Sequence, residues 1–224
     1  MNEPVKLKRT EWILLPLVSA LAVGLGFVPT LGLDVTELIG FVTGAVCVWL
    51  VVRQHMANWP MGLLNNLFFA YLFWRSRLFG EVGLQAVYFS LGVWGWWNWR
   101  FGGDRRDRLP ITRTRRIEWL LIIFWVPLGT WVLQHVLILV DGSAPFWDAF
   151  TTVISLTAQY LLCRKRLENW FFWILADIIY VPLYFSRGLP VISVLYAGFL
   201  VLCLVGLRAW ARDVRERVLA EAVS

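Results

Sequence analysis

Charged residues are scarce in this chain of 224 residues: only 16% of its positions are Asp, Glu, Lys or Arg, whereas 59% are hydrophobic. Soluble domains carry about a quarter charged residues and about half apolar ones. The surface of a soluble protein grows nearly in step with its mass, so this much apolar side chain could not be covered. The composition excludes a soluble enzyme, a nucleic-acid-binding domain and a disordered chain, and it predicts a polytopic membrane protein.

Residues that bind metals or catalyse reactions are also few, with three Cys and two His in the chain. Cys47, Cys163 and Cys203 lie inside apolar runs without metal spacing or a disulfide framework, so we interpret them as buried apolar residues. His55 and His135 have no acidic residue nearby in the sequence, and no nucleophile or phosphate loop accompanies them. We therefore expect no enzyme, no cofactor and no metal site. The net charge of +6 is better explained by membrane topology than by a nucleic-acid partner.

Long apolar runs dominate the sequence. A membrane-spanning helix needs about 20 largely apolar residues, and continuous runs favour helices, which pair their own backbone groups in lipid. Eight segments qualify: 12–31, 36–52, 58–74, 80–99, 117–140, 146–163, 168–185 and 188–210. The first begins like a signal peptide, but its apolar run is too long for one, so we expect a spanning helix there.

The basic residues predict the orientation of these spans. If the N-terminus is cytoplasmic, all but three of the 21 Lys and Arg residues fall on the inner side, and the exceptions are Arg75, Arg77 and Arg187. Lys and Arg concentrate in the cytoplasmic loops of membrane proteins. An even number of spans with both termini in the cytoplasm fits this distribution.

A shift of 111 residues aligns two halves of the chain without a gap. The matches that are hardest to obtain by chance are Asn58-Trp59 with Asn169-Trp170, Gly95 with Gly206, and Trp99 with Trp210. Each repeat contains three predicted helices, and the single helix between them makes the repeats parallel. Parallel repeats of this kind occur in SWEET-type transporters, whose substrate site lies near the midplane between the repeats. The alternative is a duplication without a functional site.

The predicted fold is therefore an all-α integral membrane protein with about eight transmembrane helices and a 3+1+3 parallel-repeat, SWEET-like core. An N-terminal tail and extra helix occupy 1–35, and the first three-helix repeat follows at 36–99. A basic cytoplasmic loop and linker helix occupy 100–145, and the second repeat spans 146–210. Residues 211–224 are predicted to form a cytoplasmic C-terminal tail.

The second helix of each repeat carries a polar residue at the same depth. Asn66 and Asp177 are equivalent under the offset, and each lies about 12 Å into its helix at about 1.5 Å per residue. A carboxylate near the bilayer centre costs at least about 2.5 kcal/mol, so it needs a partner or a function. Trp170, Trp173 and Tyr180 share its helix face by spacing. We predict a ligand site here; the alternative is an aromatic belt with an interhelical hydrogen bond.

Further polar and aromatic residues can converge on this position. Gln85 and Tyr88 lie on one face of the third helix, and Gln85 corresponds to Tyr196 in the second repeat. The predicted substrate-binding residues are Trp59, Asn66, Gln85, Tyr88, Trp170, Trp173, Asp177, Tyr180 and Tyr196.

The pattern Trp170-x-x-Trp173-x-x-x-Asp177, with its counterpart Trp59-x-x-Gly62-x-x-x-Asn66, resembles the PnuC family of nicotinamide riboside transporters. Two further motifs support the resemblance, which covers about 36–210: Leu84-Gln85-x-x-Tyr88 and Trp94-Gly95-Trp96-Trp97-x-Trp99. The resemblance implies a homotrimeric, SWEET-like vitamin transporter of the inner membrane. It implies uptake of nicotinamide riboside by facilitated diffusion, with trapping by a cytoplasmic kinase. Gly62 departs from the Trp-x-x-Trp pattern, which leaves the substrate open.

The chemistry of the predicted site fits several flat heteroaromatic ligands. Trp faces bind cations, so the pyridinium of nicotinamide riboside and the thiazolium of thiamine both suit it. A ribose suits Asn, Gln and Asp, and neutral riboflavin can stack on Trp. The resemblance implies that related transporters carry thiamine, riboflavin or deoxynucleosides.

Three rival functions stay open at the level of the sequence: a proton-coupled transporter that uses Asp177, a membrane-embedded enzyme and a structural subunit. A single deep carboxylate permits proton coupling but supplies no second group for a relay. An enzyme would need a nucleophile or a metal cluster, and a structural subunit would not need a duplicated polar pair at the midplane. We therefore favour a passive facilitator whose partners are the small-molecule substrate and membrane lipids.

The loop asymmetry generates a test of topology. In Ser224→Cys, an impermeant maleimide added to intact cells should not label the C-terminus, because both termini are predicted to be cytoplasmic. Ser76→Cys, in a predicted outer loop, is the matched control and should label. Strong labelling at position 224 in sealed cells would overturn the orientation.

Overall fold

The computed structural model describes residues 35–75, 77, 79–103, 109–141 and 144–223. The described residues form seven α-helices: α1 (Val35–Val52), α2 (Asn58–Arg75), α3 (Phe79–Phe101), α4 (Arg116–Leu139), α5 (Pro145–Cys163), α6 (Asn169–Ser186) and α7 (Pro190–Val223). Each of the seven spans predicted after residue 35 coincides with one of these helices. The span predicted at 12–31 lies outside the described residues.

Three of the helices are long and apolar enough to cross a membrane by length and composition. They are α4, α6 and the part of α7 from Ile192 to Ala220. A shorter apolar helical stretch runs from Val42 to Val52. These helices fit the membrane protein that the composition predicts.

Helix α7 continues to Val223, through the segment predicted as a C-terminal tail. Three contacts hold this extension against the rest of the protein. The side chain of Gln54 donates a hydrogen bond to Asp213, and Arg217 donates one of 2.9 Å to the carbonyl of Ile111. Val214 packs against the buried core. The extension is stabilised as a helix because these side chains find partners in the rest of the protein.

Six helices form a closed ring. Going around the ring, α1 packs on α2, α2 on α3, α3 on α5, α5 on α6, α6 on α7, and α7 on α1. Helix α4 packs mainly on the outside of α5, and most of its large apolar side chains are exposed. The ring therefore encloses an interior, while α4 presents an apolar surface suited to lipid.

Several residues that lie 111 positions apart make equivalent contacts in the two halves of the ring. The turns after α1 and α5 are alike: Gln54 and Lys165 both have a φ of 53°. In both turns a backbone N–H closes the helix with a 2.8 Å bond, from His55 to Leu50 and from Arg166 to Leu161. Such left-handed caps satisfy carbonyls at the end of a helix.

Two tryptophans connect the halves crosswise. The indole N–H of Trp99 on α3 donates a 2.8 Å hydrogen bond to the carbonyl of Leu162 at the end of α5. The indole N–H of Trp210 on α7 donates a 3.2 Å bond to the carbonyl of Val51 at the end of α1. We call this end of the ring, where α1 and α5 end and α2 and α6 begin, the closed end. Each half thus supplies a second donor to a carbonyl at the other half's helix terminus, beside the backbone N–H of Gln54 or Lys165.

A packed aromatic cluster fills the closed end. Trp59 meets Trp99 edge to face at a centroid distance of 5.3 Å, and Trp170 meets Trp210 in the same way at 5.5 Å. Trp99 and Trp210 are 6.0 Å apart. All four side chains are buried. Edge-to-face pairs of this kind add about 0.5–1.5 kcal/mol each beyond their buried area.

The segment 109–115 covers the closed end. Ile111 is buried in the aromatic cluster, and Thr112 exchanges backbone hydrogen bonds with Lys165 and Leu167 at 3.2 and 2.9 Å. At the start of α4, the buried carboxylate of Glu118 accepts bonds of 3.2 and 3.0 Å from Arg166. This ion pair holds the start of α4 against the closed end, because a buried charge left without its partner would lower the stability of the fold.

The glycines next to the aromatic cluster test this packing. A Cβ on Gly206 would overlap the indole ring of Trp170, so Gly206→Ala should lower the free energy of unfolding by about 1–3 kcal/mol through overpacking. Thermal unfolding in detergent measures the effect. Gly83→Ala is the matched control, because it lies in a helix with nothing within 4 Å of an added Cβ, and it should gain up to about 1 kcal/mol. Equal midpoints for the two variants would contradict the packing.

Candidate transport cavity

A cavity of about 390 Å³ lies inside the ring. All six ring helices contribute to its wall, and α3 contributes the fewest lining residues, Tyr88 and Gly92. The lining residues are Gly44, Cys47, Val48, Val51, Asn58, Trp59, Gly62, Leu63, Asn66, Tyr88, Gly92, Ser155, Gln159, Leu162, Trp170, Trp173, Ala176, Asp177, Tyr180, Tyr196, Phe199 and Cys203. A volume of this size lies within the range of small-molecule pockets.

Asp177 gives the cavity its charge. Among the described residues that line the cavity, it is the only one with a formally charged side chain. Its side chain is buried, and the thiol of Cys203 lies 3.5 Å from Oδ2. A thiol is a weak hydrogen-bond donor, so it compensates a buried carboxylate poorly. The site is therefore suited to a ligand that brings a positive charge or strong donors.

Two indole groups line the cavity next to the closed end. The Nε1 atoms of Trp59 and Trp170 are buried and have no hydrogen-bond partner among the described residues. Buried polar groups normally have a partner in the protein or in ordered water. The two indole groups occupy equivalent positions in the two halves of the ring.

Tyrosines line the part of the cavity that lies farther from the closed end. Tyr196 packs against Tyr180 at a centroid distance of 4.8 Å and stacks on Tyr184 at 5.1 Å with an interplanar angle of 9°. Tyr180 and Tyr196 are half-buried, unlike the buried tryptophans at the closed end. The cavity is thus shut at one end by packed indoles and bordered at the other by more accessible phenols.

The structure brings eight of the nine predicted site residues together. Those that line the cavity are Trp59, Asn66, Tyr88, Trp170, Trp173, Asp177, Tyr180 and Tyr196. Gln85 does not line it and is half-buried on α3. The reason is axial distance: α3 meets the cavity at Tyr88 and Gly92, and Gln85 lies about one turn further from the closed end.

Several lining residues are not among those predicted from the sequence. Asn58 at the start of α2 is one of them, and the others with an amide or hydroxyl group are Ser155 and Gln159 on α5. The spacing of Ser155 and Gln159 by four residues places them on one face of α5, which is a usable signal. Cys203 is predicted to be a simple buried apolar residue, yet its thiol contacts Asp177. Gly92 lies 111 positions before Cys203 and also lines the cavity. The offset therefore relates these two lining positions to each other.

A ring of apolar helices around a polar and aromatic cavity defines a membrane transporter. A family model described as "Nicotinamide mononucleotide transporter" matches residues 34–212. The chain therefore belongs to the nicotinamide mononucleotide transporter family. This is a family of transporters and not of enzymes, so the alternative of a membrane-embedded enzyme is removed.

Individual relatives agree with the family. The nicotinamide riboside transporter PnuC of Escherichia coli (strain K12) is 24% identical over 209 residues, covering 81% of this chain and 87% of the relative. The riboflavin/roseoflavin transporter RibM of Streptomyces davaonensis is 27% identical over 179 residues, covering 78% of this chain and 84% of that one. The resemblance to PnuC inferred from the sequence motifs is confirmed.

A solved structure is similar over nearly the whole chain. The crystal structure of the vitamin B3 transporter PnuC superimposes with a TM-score of 0.69 at 26% identity, covering 94% of each chain. The helical architecture described above is therefore that of a known transporter fold. The protein is a membrane transporter of this family.

Proposed function

We propose that this chain takes up nicotinamide riboside by facilitated diffusion through the cavity. The observation that carries the proposal is the lone charge of Asp177, which shares the cavity with Trp173 and has no basic residue among the described lining residues. Nicotinamide riboside has a cationic pyridinium ring. Such a ring gains from the face of a tryptophan and from a poorly screened carboxylate. Asn58, Asn66 and Gln159 offer donors and acceptors for the ribose.

The same charge distribution favours the riboside over the mononucleotide. A phosphate monoester carries nearly two negative charges near neutral pH. Within the described residues, no Lys or Arg lines the cavity to compensate them. Burying an uncompensated anion near Asp177 would be costly. The curated relatives named PnuC are likewise named for the riboside.

Riboflavin is the second candidate substrate. The relative named as a riboflavin/roseoflavin transporter is as similar to this chain as several PnuC proteins are. Riboflavin is neutral, so Asp177 would contribute hydrogen bonding rather than charge. Thiamine and deoxynucleosides also suit the aromatic and polar lining residues, but the relatives described above are not named for them.

We infer that the transporter has eight spans, an extra N-terminal helix and a 3+1+3 core. The equivalent turns and crossed Trp99 and Trp210 contacts support two parallel repeats. Arg53, Arg164 and Arg208 lie near the closed end, which supports placing that end and both termini in the cytoplasm. The inner membrane is the location that the family resemblance implies. Uptake then requires the closed end to open. Trapping by a cytoplasmic kinase and a homotrimeric state remain expectations from the family resemblance.

Passive transport is favoured over proton coupling. Among the described lining residues, Asp177 is the single carboxylate. Proton pathways in membranes use chains of Asp, Glu or His. Asp177 could carry a proton alone, and the pH dependence of uptake separates the two mechanisms.

Charge and stacking in the cavity can be tested by calorimetric titration of purified protein. Asp177→Asn keeps the shape of the side chain but removes its charge, so affinity for nicotinamide riboside should fall at least about tenfold, or about 1.4 kcal/mol. Affinity for neutral riboflavin should change much less, because the lost interaction is Coulombic. Trp173→Ala should cost about 1–2 kcal/mol for the cationic ligand.

Asp148→Asn is the matched control. Asp148 lies outside the cavity, 3.6 Å from Arg187, and an amide at this position should leave both affinities unchanged. Wild-type affinity for every ligand in Asp177→Asn and Trp173→Ala would remove these residues from the binding site.

Passive transport predicts the behaviour of purified protein in liposomes. Labelled nicotinamide riboside should equilibrate across the bilayer without a proton or sodium gradient, because the described lining of the cavity contains no second carboxylate for coupling. Uptake is measured by filtration with and without imposed gradients, and protein-free liposomes are the control. Accumulation above the external concentration that requires a gradient would exclude facilitated diffusion.

A further inference from the structure

Three glycines line the cavity, and two of them have a packing reason. A Cβ on Gly92 would lie 2.9 Å from Leu63, and a Cβ on Gly44 would lie 3.3 Å from Phe199. Both distances are tight, so glycine allows the helices to approach each other there. The third glycine, Gly62 on α2, is different: nothing lies within 4 Å of an added Cβ.

Gly62 therefore costs helix stability without a packing gain. Glycine in a helix interior is about 0.5–1 kcal/mol less favourable than alanine. Its backbone is ordinary helix, so no left-handed conformation requires it. What glycine provides at this position is open space along the wall of the cavity.

The repeat shows what could stand there instead. The position 111 residues further on is Trp173, which also lines the cavity. The equivalent walls of the two halves thus differ by an entire indole group. The wall that carries Trp173 can stack on an aromatic ring of the ligand. The equivalent wall, at Gly62, leaves room for a wider ring system.

We propose that Gly62 determines specificity by setting the width of the ring system that the cavity accepts. In this chain the cavity admits fused-ring heteroaromatic ligands as well as single-ring ones. The proposal rests on the proposed function, since it concerns the same cavity and the same class of ligand. A bulky residue at position 62 would restrict binding to ligands with a single aromatic ring.

The test compares a single-ring and a fused-ring ligand by equilibrium dialysis against purified protein. The probes are nicotinamide riboside and riboflavin. Wild type should bind both. In Gly62→Trp, the dissociation constant for riboflavin should rise at least about tenfold, because an indole would occupy the space that the extra rings need. That for nicotinamide riboside should change by less than about threefold, since the Trp173 wall is intact. If the tryptophan variant does not fold, Gly62→Leu replaces it, and the dissociation constants should change in the same direction.

Gly83→Trp is the matched control. Gly83 also lies in a helix with nothing within 4 Å of an added Cβ, but it does not line the cavity. Both dissociation constants should remain within about threefold of wild type there, because substitutions away from the site have small effects.

The outcomes separate this inference from the proposed function. The role of Gly62 would be overturned if wild type bound nicotinamide riboside but not riboflavin. It would also be overturned if Gly62→Trp changed both dissociation constants equally. Neither result would contradict transport of the riboside. Failure of wild type to bind either ligand would contradict the proposed function and, with it, the role of Gly62.

Discussion

The backbone carbonyls at the ends of α1 and α5 impose the constraint on which the rest of the structure depends. A helix that ends inside a packed, water-poor region leaves carbonyls that need donors. Trp210 supplies a donor to Val51, and Trp99 supplies one to Leu162. Each carbonyl also accepts a 2.9 Å bond from a backbone N–H of its own turn, that of Gln54 or Lys165, so the indole of the opposite half is a second donor. Because these second donors cross from one half to the other, they hold the two halves together at this end, where the ring closes.

Closing the ring at one end creates the cavity. The indoles of Trp59 and Trp170 pack edge to face on the crossed pair and form the floor of the cavity. Gly95 and Gly206 make room for them, since a Cβ at either position would overlap an indole. The floor is rigid and aromatic, while Asp177 contributes a single negative charge two turns further along α6. A cationic aromatic ligand fits both features. On the proposed uptake route the closed end has to open, and the crossed hydrogen bonds are among the contacts that hold the halves together there.

Much of this organisation follows from the sequence because apolar runs and the 111-residue offset are both strong signals. The offset predicts the equivalence of Trp99 with Trp210, and the depth of Asp177 indicates the cavity. The crosswise donation is not predictable, because the pattern of one repeat does not say which half its indole will reach. Helical spacing puts Gln85 on the face of Tyr88, but spacing does not reveal where along the helix the cavity ends. Ser155 and Gln159 escape prediction because their helix also carries Asp148 and three threonines, so polarity alone does not show which positions face the cavity.

The proposed binding mode places a cationic aromatic nucleoside in contact with Trp173 and Asp177. A crystal or cryo-electron microscopy structure of the protein with nicotinamide riboside tests it most directly. We expect the pyridinium ring to lie within about 6 Å of the Trp173 ring centroid, the distance of a cation–π contact, with the Asp177 carboxylate as the nearest anion. Ligand density outside the six-helix ring, or inside it but in contact with neither side chain, would contradict the account.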